Sequence, residues 1–289
     1  MPCINAVSFH EDPSIESICR TVLAAGFDAI ELSRPPFYHG LRTTDTRRRF
    51  AEWAGEHALG LQGFDCWVEV LPFDKMTETR DEFGAAVEFA RELNLGSVIT
   101  HDAWIRDTGD CSPQDSLRLH RELFQPVADL CAEACLELLF EPHPDTLSMD
   151  NAWCIDFIDS LEAANVGVLY DCCHYGVGQP EGYLEAIEQL GGRIRHLHFS
   201  DGDRKTYALH LPLGDGQLDL AAIIRKLQAI PFEGTLTNDL YSYPLLEDGA
   251  RRNAKKIVDV EIALGVGARN RPRTGVGAAA LRSPQERSS

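Results

Sequence analysis

Acidic and imidazole side chains follow directly after several short aliphatic runs of this chain. Such side chains are the ones that bind metal ions and transfer protons near neutral pH. If the runs are parallel β-strands, their carboxyl ends meet on one face of a sheet or barrel, and these side chains converge there. The ionisable groups at or beyond the predicted strand ends include His10, Glu31, Asp65, His101, Asp102, Glu141, His143, Asp171, His174, His198, Asp201 and Asp239.

Three carboxylates and one imidazole of this group form a ligand set for a divalent cation. Without a cation, Glu141, Asp171 and Asp239 would repel one another, because no basic residue follows the same strand ends. His198 adds a nitrogen donor to the three carboxylates. Oxygen-rich sets of this kind suit hard or borderline cations, so we predict one bound divalent ion. Mn²⁺ is the preferred choice, with Mg²⁺, Co²⁺ and Zn²⁺ as alternatives.

The elements that position these residues alternate regularly along the chain. Eight short aliphatic runs alternate with stretches whose apolar residues recur at helical spacing. The predicted strands are Asn5–Phe9, Ala29–Leu32, Leu59–Phe64, Ser97–Thr100, Leu136–Glu141, Gly167–Tyr170, Ile194–Phe199 and Gly234–Thr237. The predicted helices are Ile15–Ala25, Arg47–Ala58, Arg80–Leu93, Ser116–Ala134, Cys154–Ala164, Leu184–Leu190, Leu220–Ile230 and Asn253–Leu264.

Eight strand–helix units predict an α/β fold, a single (β/α)8 TIM barrel over residues 1–265. An open doubly wound sheet is the alternative. Such a sheet typically has a glycine-rich loop after an early strand, and no glycine-rich loop follows the first predicted strand. Residues 266–289 are rich in Gly, Pro, Ser and Ala and carry five arginines and one glutamate. That composition cannot bury a core, so we predict a disordered basic tail.

Charge and composition narrow the classes of function. The net charge of −18 disfavours a nucleic-acid partner, since the polyphosphate backbone would be repelled. No apolar run is long enough to span a membrane, and the N-terminal residues do not resemble a secretory signal. Nine cysteines, an odd number without a CxxC pair, indicate reduced thiols rather than a disulfide framework. We therefore expect a cytoplasmic protein that acts on a small molecule.

The second half of the chain resembles the xylose isomerase-like TIM barrels, a superfamily of sugar and sugar-phosphate isomerases and epimerases that includes D-tagatose 3-epimerase. The resemblance covers strands 5 to 8 by motif and the first half by architecture. The matching segments are Glu141, Asp171-x-x-His174, His198-x-x-Asp201-x-x-Arg204, Leu213-Gly214-Asp215-Gly216-x-x-Asp219, and Phe232-Glu233-Gly234 followed by Asp239.

The resemblance implies a role for each matching residue. The implied metal ligands are Glu141, Asp171, His198 and Asp239. The expected substrate contacts are His174 and Arg204 from the motifs, with His101 and Trp67 from the neighbouring strand ends. In the epimerases of this superfamily the first and last ligands also form the acid/base pair on opposite faces of the sugar. The last ligand is usually Glu, and Asp239 is one methylene shorter, which alters its reach to a substrate carbon.

A second segment, Glu141-Pro142-His143-Pro144-Asp145-Thr146-Leu147, resembles the Glu-x-His segment of 3-dehydroshikimate dehydratases in the same superfamily. That resemblance implies that Glu141 binds metal and that His143 is the catalytic base, as in related enzymes that cleave C-glycosides. The alternative is that His143 supports Glu141 through a hydrogen bond. Both interpretations remain open at this point.

The DNA-repair branch of the superfamily, of the endonuclease IV type, requires ligands for three zinc ions. His101, His174 and His210 could supply some of them. Strand 3 lacks a histidine, however, and Ala208 stands where another ligand is expected. Together with the negative net charge, these departures exclude this branch.

The remaining chemistries share the removal of a proton from a carbon next to a carbonyl, which a bound divalent ion assists by stabilising the developing charge. The favoured hypothesis is an isomerase or epimerase of a sugar, sugar phosphate or polyol-ketone. The second is a lyase of the dehydratase or C-glycoside-cleaving kind, with His143 as base. The third is a metal-binding or partner-binding protein without catalysis. A homodimer and a homotetramer are both compatible with the sequence.

Overall fold

Eight parallel strands close into one barrel in the order in which they occur along the chain. The computed structural model describes residues 2–11, 14–70, 72–108, 111–230 and 232–266. The strands are β1 Cys3–Asn5, β2 Ala29–Ser33, β3 Gly60–Asp65, β4 Ser97–Thr100, β5 Glu137–Phe140, β6 Val166–Asp171, β7 Ile194–Phe199 and β8 Thr235–Asn238. β8 pairs with β1 through Asn238 and Ile4, which closes the barrel. The predicted (β/α)8 architecture is confirmed.

The helices occupy the connections that the periodicity predicts, but several begin earlier than predicted. They are α1 Ile15–Ala25, α2 Thr44–Glu56, α3 Met76–Glu92, α4 Pro113–Glu133, α5 Asn151–Ser160, α6 Cys172–Gly178, α7 Tyr183–Leu190, α8 Leu220–Ala229 and α9 Leu246–Leu264. Capping side chains fix several of these starts: the Ser112 hydroxyl accepts a hydrogen bond from the Asp115 N–H, and the Asp150 carboxylate accepts from Ala152 and Trp153. α6 was not predicted. It follows β6 at once, and its N-cap is the side chain of Asp171.

The predicted first strand, Asn5–Phe9, is wrong. β1 ends at Asn5, and Ala6–Phe9 form a 3₁₀ turn. The Asn5 side chain causes the change, because its oxygen accepts a hydrogen bond from the Val7 N–H at 2.8 Å and so caps the turn. His10 therefore follows a buried turn rather than a strand end.

The barrel interior is apolar on one side and polar on the other. Ile99, Leu139 and Leu169, from β4 to β6, form a buried cluster separate from the core between sheet and helices. On the β1, β2 and β7 side, Asn5, Glu31, His196 and His198 are buried as well. Interiors of such barrels are usually filled by branched aliphatic side chains. These four polar residues therefore depart from the usual filling of the barrel interior.

The cysteines and the long helices concern two features that the sequence analysis addressed, disulfide bonds and membrane spans. All nine cysteines lie within the described ranges and are free thiols; seven are buried, and Cys111 and Cys135 are exposed. Within the same ranges, no helix combines the length and apolar character that a membrane span requires.

Val266 lies at the boundary of the predicted tail. It is fully buried and packs into the core between sheet and helices, and its N–H donates to the Glu261 carbonyl at 3.0 Å. The remaining predicted tail, residues 267–289, lies outside the described part of the chain. The barrel's packing therefore extends through residue 266.

Candidate metal centre and substrate cavity

Three carboxylates from different strand ends surround one nitrogen of His198. His198 Nδ1 lies 2.8 Å from Glu141 Oε1, 3.7 Å from Asp171 Oδ2 and 3.8 Å from Asp239 Oδ2. All four residues are buried. They belong to the ends of β5, β6, β7 and β8, so the closure of the barrel brings together the four predicted ligands.

The donor atoms at this point fit a divalent cation. Glu141, Asp171 and His198 each offer a ligand atom, and the three atoms lie within 4.8 Å of one another. Asp171 Oδ2 is buried and has no hydrogen-bond partner among the residues that the structure describes. Burial raises the pKa of Asp171, which shows how poorly this carboxylate is compensated by the protein alone. A cation of the oxygen-preferring class would satisfy the atom and offset the repulsion between the carboxylates.

The metal-free charge balance of the site depends on His198. Burial works to lower the pKa of His198, but the charges of Glu141 and Glu31 raise it well above its usual value. Burial likewise works to raise the pKa of Glu141, but the charge of His198 and hydrogen bonds hold it well below its usual range. A proton on Nδ1 and a cation at the same nitrogen exclude each other, so metal binding must compete with protonation.

Two further histidines contact the Glu141 carboxylate. His143 Nε2 lies 3.4 Å from Glu141 Oε2, and His174 Nδ1 lies 3.7 Å from Glu141 Oε1. The two imidazole rings are 4.0 Å apart between centroids. Burial, followed by the charge of His143, lowers the pKa of His174 well below its usual value. Neutral His174 can therefore donate or accept a hydrogen bond at a substrate hydroxyl group.

His210 belongs to the same cluster, although the sequence analysis named it only as a possible zinc ligand of the excluded DNA-repair branch. Its Nδ1 lies 3.3 Å from Asp239 Oδ2 and 3.9 Å from Asp171 Oδ2, and the residue is buried. Burial works to lower the pKa of His210, but Asp239 and then Asp171 raise it well above its usual value. His210 lies in the connection between β7 and α8 rather than at a strand end, so a search of the residues at the strand ends could not find it.

Asp201 holds that connection in place. Its Oδ1 accepts hydrogen bonds from the Gly202 and Leu218 N–H groups, at 2.8 and 3.1 Å, and its Oδ2 accepts from Gly214 and Gly216, both at 3.0 Å. A Cβ at Gly216 would lie 2.2 Å from Asp201 Oδ1, so the close approach requires glycine. Hydrogen bonds thus connect the motif segment that contains Asp201 to the segment that contains Gly214-x-Gly216.

A cavity of about 280 Å³ opens over the cluster. Glu141, His143, His174, His210 and Asp239 line its polar floor. Its aromatic walls come from Trp67, Trp104, Tyr207 and Tyr241. Pockets of this kind, with few convergent polar groups and aromatic walls, bind small molecules. A larger cavity of about 750 Å³, lined by His10 and the start of α9, contains none of the four predicted ligands.

The predicted substrate contacts occupy different positions. Trp67 lines the cavity and donates its indole N–H to Asp65 at 3.0 Å. His174 lines it as well. His101 is buried behind the wall, with its ring 4.6 Å from the ring of Trp104.

Arg204 does not line this cavity. Its guanidinium donates to the Pro180 carbonyl and to Glu181, the latter at 3.2 Å, and lies over the ring of Tyr183. A direct contact between Arg204 and a substrate in this cavity would therefore require the side chain to leave these partners.

The comparisons with known proteins agree with the barrel fold. Fructoselysine 3-epimerase from Shigella flexneri is 23% identical over 247 residues, which cover 80% of this chain and 87% of that protein. A structure of the IolI protein with a bound zinc atom superposes with a TM-score of 0.73 at 17% identity, covering 91% of this chain and 97% of that one.

A structure of the probable 3-DHS dehydratase AsbF from Bacillus anthracis superposes with a TM-score of 0.72 at 16% identity, covering 89% and 98% of the two chains. At these identities the solved structures support the fold alone. The model of the family described as "Xylose isomerase-like TIM barrel" matches residues 19–260, which is most of the chain. The protein therefore belongs to the xylose isomerase-like TIM barrel family.

Proposed function

We propose that this protein is a divalent-metal-dependent epimerase or isomerase of a ketose sugar, sugar phosphate or polyol-ketone. The single observation that carries the proposal is the convergence of Glu141, Asp171 and Asp239 on Nδ1 of His198 beneath a small-molecule cavity. The fructoselysine 3-epimerase relative supports a sugar epimerase, and the zinc in the IolI structure supports a metal centre.

The proposed roles follow from which groups line the cavity. A divalent cation held by Glu141, Asp171, His198 and Asp239 would supply stabilisation for the negative charge that develops on a substrate oxygen. Glu141 and Asp239 both reach the cavity and serve as the acid/base pair that removes and returns a proton. His174 holds a substrate hydroxyl group, and the faces of Trp67 and Trp104 pack against the sugar's C–H groups.

A lyase is the second candidate, because His143 contacts Glu141 and lines the same cavity. In that reaction His143 removes the proton, and a leaving group departs from the neighbouring carbon. The likeness to the dehydratase structure supports keeping this alternative. It differs from epimerisation in its product, which has lost water or an aglycone, so a product assay separates the two.

The direct test is incubation of the metal-loaded protein in D₂O with a panel of ketoses, fructoselysine, inososes and 3-dehydroshikimate, with Mn²⁺ or Co²⁺. We expect deuterium at a carbon next to the carbonyl of at least one ketose substrate, followed by an epimer or isomer. Glu141→Ala is the negative control, because it removes a ligand and one acid/base group. Water or aglycone loss without exchange products would favour the lyase, and no turnover of any substrate class would favour the non-catalytic alternative.

A further inference from the structure

We propose that Glu31 is a positioning residue that fixes which ring nitrogen of His198 faces the cation site. The inference rests on the metal centre of the proposed function. Glu31 Oε1 lies 2.8 Å from His198 Nε2, and His198 Nδ1 lies on the opposite side of the ring, 2.8 Å from Glu141. An imidazole that donates its Nε2–H to a carboxylate presents the Nδ1 lone pair to a cation.

A second histidine lies beside the other oxygen of Glu31. Glu31 Oε2 lies 2.9 Å from His196 Nε2, but the two atoms are not aligned for a hydrogen bond. His196 Nδ1 lies 2.5 Å from the Thr235 hydroxyl oxygen. The hydrogen bond that connects Glu31 to the predicted ligands is therefore the one between its Oε1 and His198 Nε2.

The surroundings show that this arrangement is specific to one side of the barrel. Glu31 is completely buried, and a buried carboxylate is costly unless it is compensated by donors. The other side of the interior is filled by the apolar cluster of Ile99, Leu139 and Leu169. An aliphatic residue at position 31 would complete the usual barrel filling, so the carboxylate has a role that packing does not explain.

Gly63 on β3 leaves room for the carboxylate. A Cβ at this position would lie 3.1 Å from Glu31 Oε2 and 2.7 Å from the Ser97 hydroxyl oxygen. Any larger residue would therefore press on the carboxylate and on Ser97. The neighbouring strand thus accommodates Glu31 in its contact with His198.

The experiment compares Glu31→Ala, Glu31→Gln and Asp102→Asn. Asp102 is the matched control, because it is a completely buried carboxylate just beyond the end of β4 that accepts hydrogen bonds from the Leu147 and Ser148 N–H groups rather than from a metal-ligating histidine. Co²⁺ alone is titrated into metal-free protein, with a competing chelator to measure the dissociation constant. Circular dichroism and thermal melting of the metal-free variants report folding separately.

We expect Glu31→Ala to weaken Co²⁺ binding by about 10–100-fold, the range typical of outer partners of metal-ligating histidines. Glu31→Gln keeps an acceptor for the His198 N–H and should lose less, and Asp102→Asn should change the constant by less than about threefold. ¹⁵N NMR of the zinc-loaded wild type should show His198 protonated at Nε2 and coordinated through Nδ1. In Glu31→Ala we expect this protonation and coordination pattern to be lost, whereas removal of a residue that only stabilises the fold would leave it unchanged.

Two results would overturn the inference. The first is a folded Glu31→Ala protein that binds Co²⁺ as tightly as the wild type. The second is a zinc-loaded wild type in which His198 coordinates through Nε2, and this measurement needs no variant and so decides the matter if Glu31→Ala fails to fold. A wild type that binds neither Co²⁺ nor Zn²⁺ would reject the metal centre of the proposed function together with the role of Glu31. Metal binding by the wild type with either of the two results above would reject the role of Glu31 alone.

Discussion

His143 Nε2 lies 3.4 Å from Glu141 Oε2, although the two residues flank Pro142 just beyond the end of β5. The contact allows His143 either to support the carboxylate or to act as a base. For the proposed epimerase we expect His143→Ala to retain at least about a tenth of the exchange activity, and Asp239→Asn to abolish it, measured as deuterium exchange with excess Mn²⁺.

The opposite pattern would identify the lyase. Loss of a general base typically costs about 10²–10⁴-fold in rate, so a fully metallated His143→Ala enzyme with that defect would show that His143 is the base. Asp239→Asn would then act through metal affinity, and excess metal should partly restore its rate.

Removal of either Glu141 or Asp171 should remove the bound ion. We expect Glu141→Ala and Asp171→Ala to contain little metal after purification and dialysis, because each supplies one of the clustered donor atoms. Asp259→Ala is the control, since Asp259 is exposed on α9 and pairs with Lys255. Full metal content in both site variants, by elemental analysis, would reject this ligand set.

Metal binding should release protons and strengthen as the pH rises. Burial works to lower the pKa of His198 in the metal-free protein, but the charges of Glu141 and Glu31 raise it well above its usual value, which favours a proton on His198. A cation at Nδ1 must displace it, so the apparent affinity falls as the pH is lowered. Calorimetric titration with Mn²⁺ in buffers of different ionisation enthalpy measures the protons released. A pH-independent affinity without proton release would contradict the prediction.

The Arg204→Ala variant tests whether Arg204 contacts the substrate or only stabilises the connection between β7 and α8. We expect the KM to rise while the metal content stays unchanged, if Arg204 exchanges its bonds to Pro180 and Glu181 for substrate oxygens. Steady-state kinetics, metal analysis and a thermal melt of the variant provide the measurements. A lower Tm with unchanged KM would show that Arg204 only ties its loop to the segment before α7.

The residues after Val266 should be dispensable for stability. A chain that ends at Val266 should melt within a degree or two of the full chain, because it keeps the buried side chain. A chain that ends at Leu264 loses Val266, whose burial is worth about 1.5–3 kcal/mol, or several degrees at about 2–4 °C per kcal/mol. A large loss in the longer truncation would show that the removed residues contribute to the fold.

The eight strand–helix units predicted the barrel, and the residues at the strand ends predicted which side chains converge, because periodicity and strand order survive small errors in element bounds. Glu141, Asp171, His198 and Asp239 each follow a buried run, and closure of the barrel alone makes them converge. The predicted first strand was wrong because Asn5–Phe9 is a short, mostly apolar run like the other predicted strands, while the side chain of Asn5 stabilises a turn instead.

The contacts between residues distant in sequence could not be predicted in the same way. Glu31 meets His196 and His198 across a closed barrel, and the sequence alone does not reveal the registers that align these side chains. His210 reaches the site from the middle of a long connection, whose path depends on hydrogen bonds to Asp201. α6 has only seven residues, too few for a helical period to be detected.

The four hydrogen bonds to Asp201 give an irregular connection the behaviour of a cooperative unit. The amide hydrogens of Gly202, Gly214, Gly216 and Leu218 end on one carboxylate, so none can open to solvent without disturbing a shared partner. In hydrogen–deuterium exchange, these amides should be protected like those of a helix and should lose protection together. The segment that carries His210 would then unfold in a single step and not fray residue by residue.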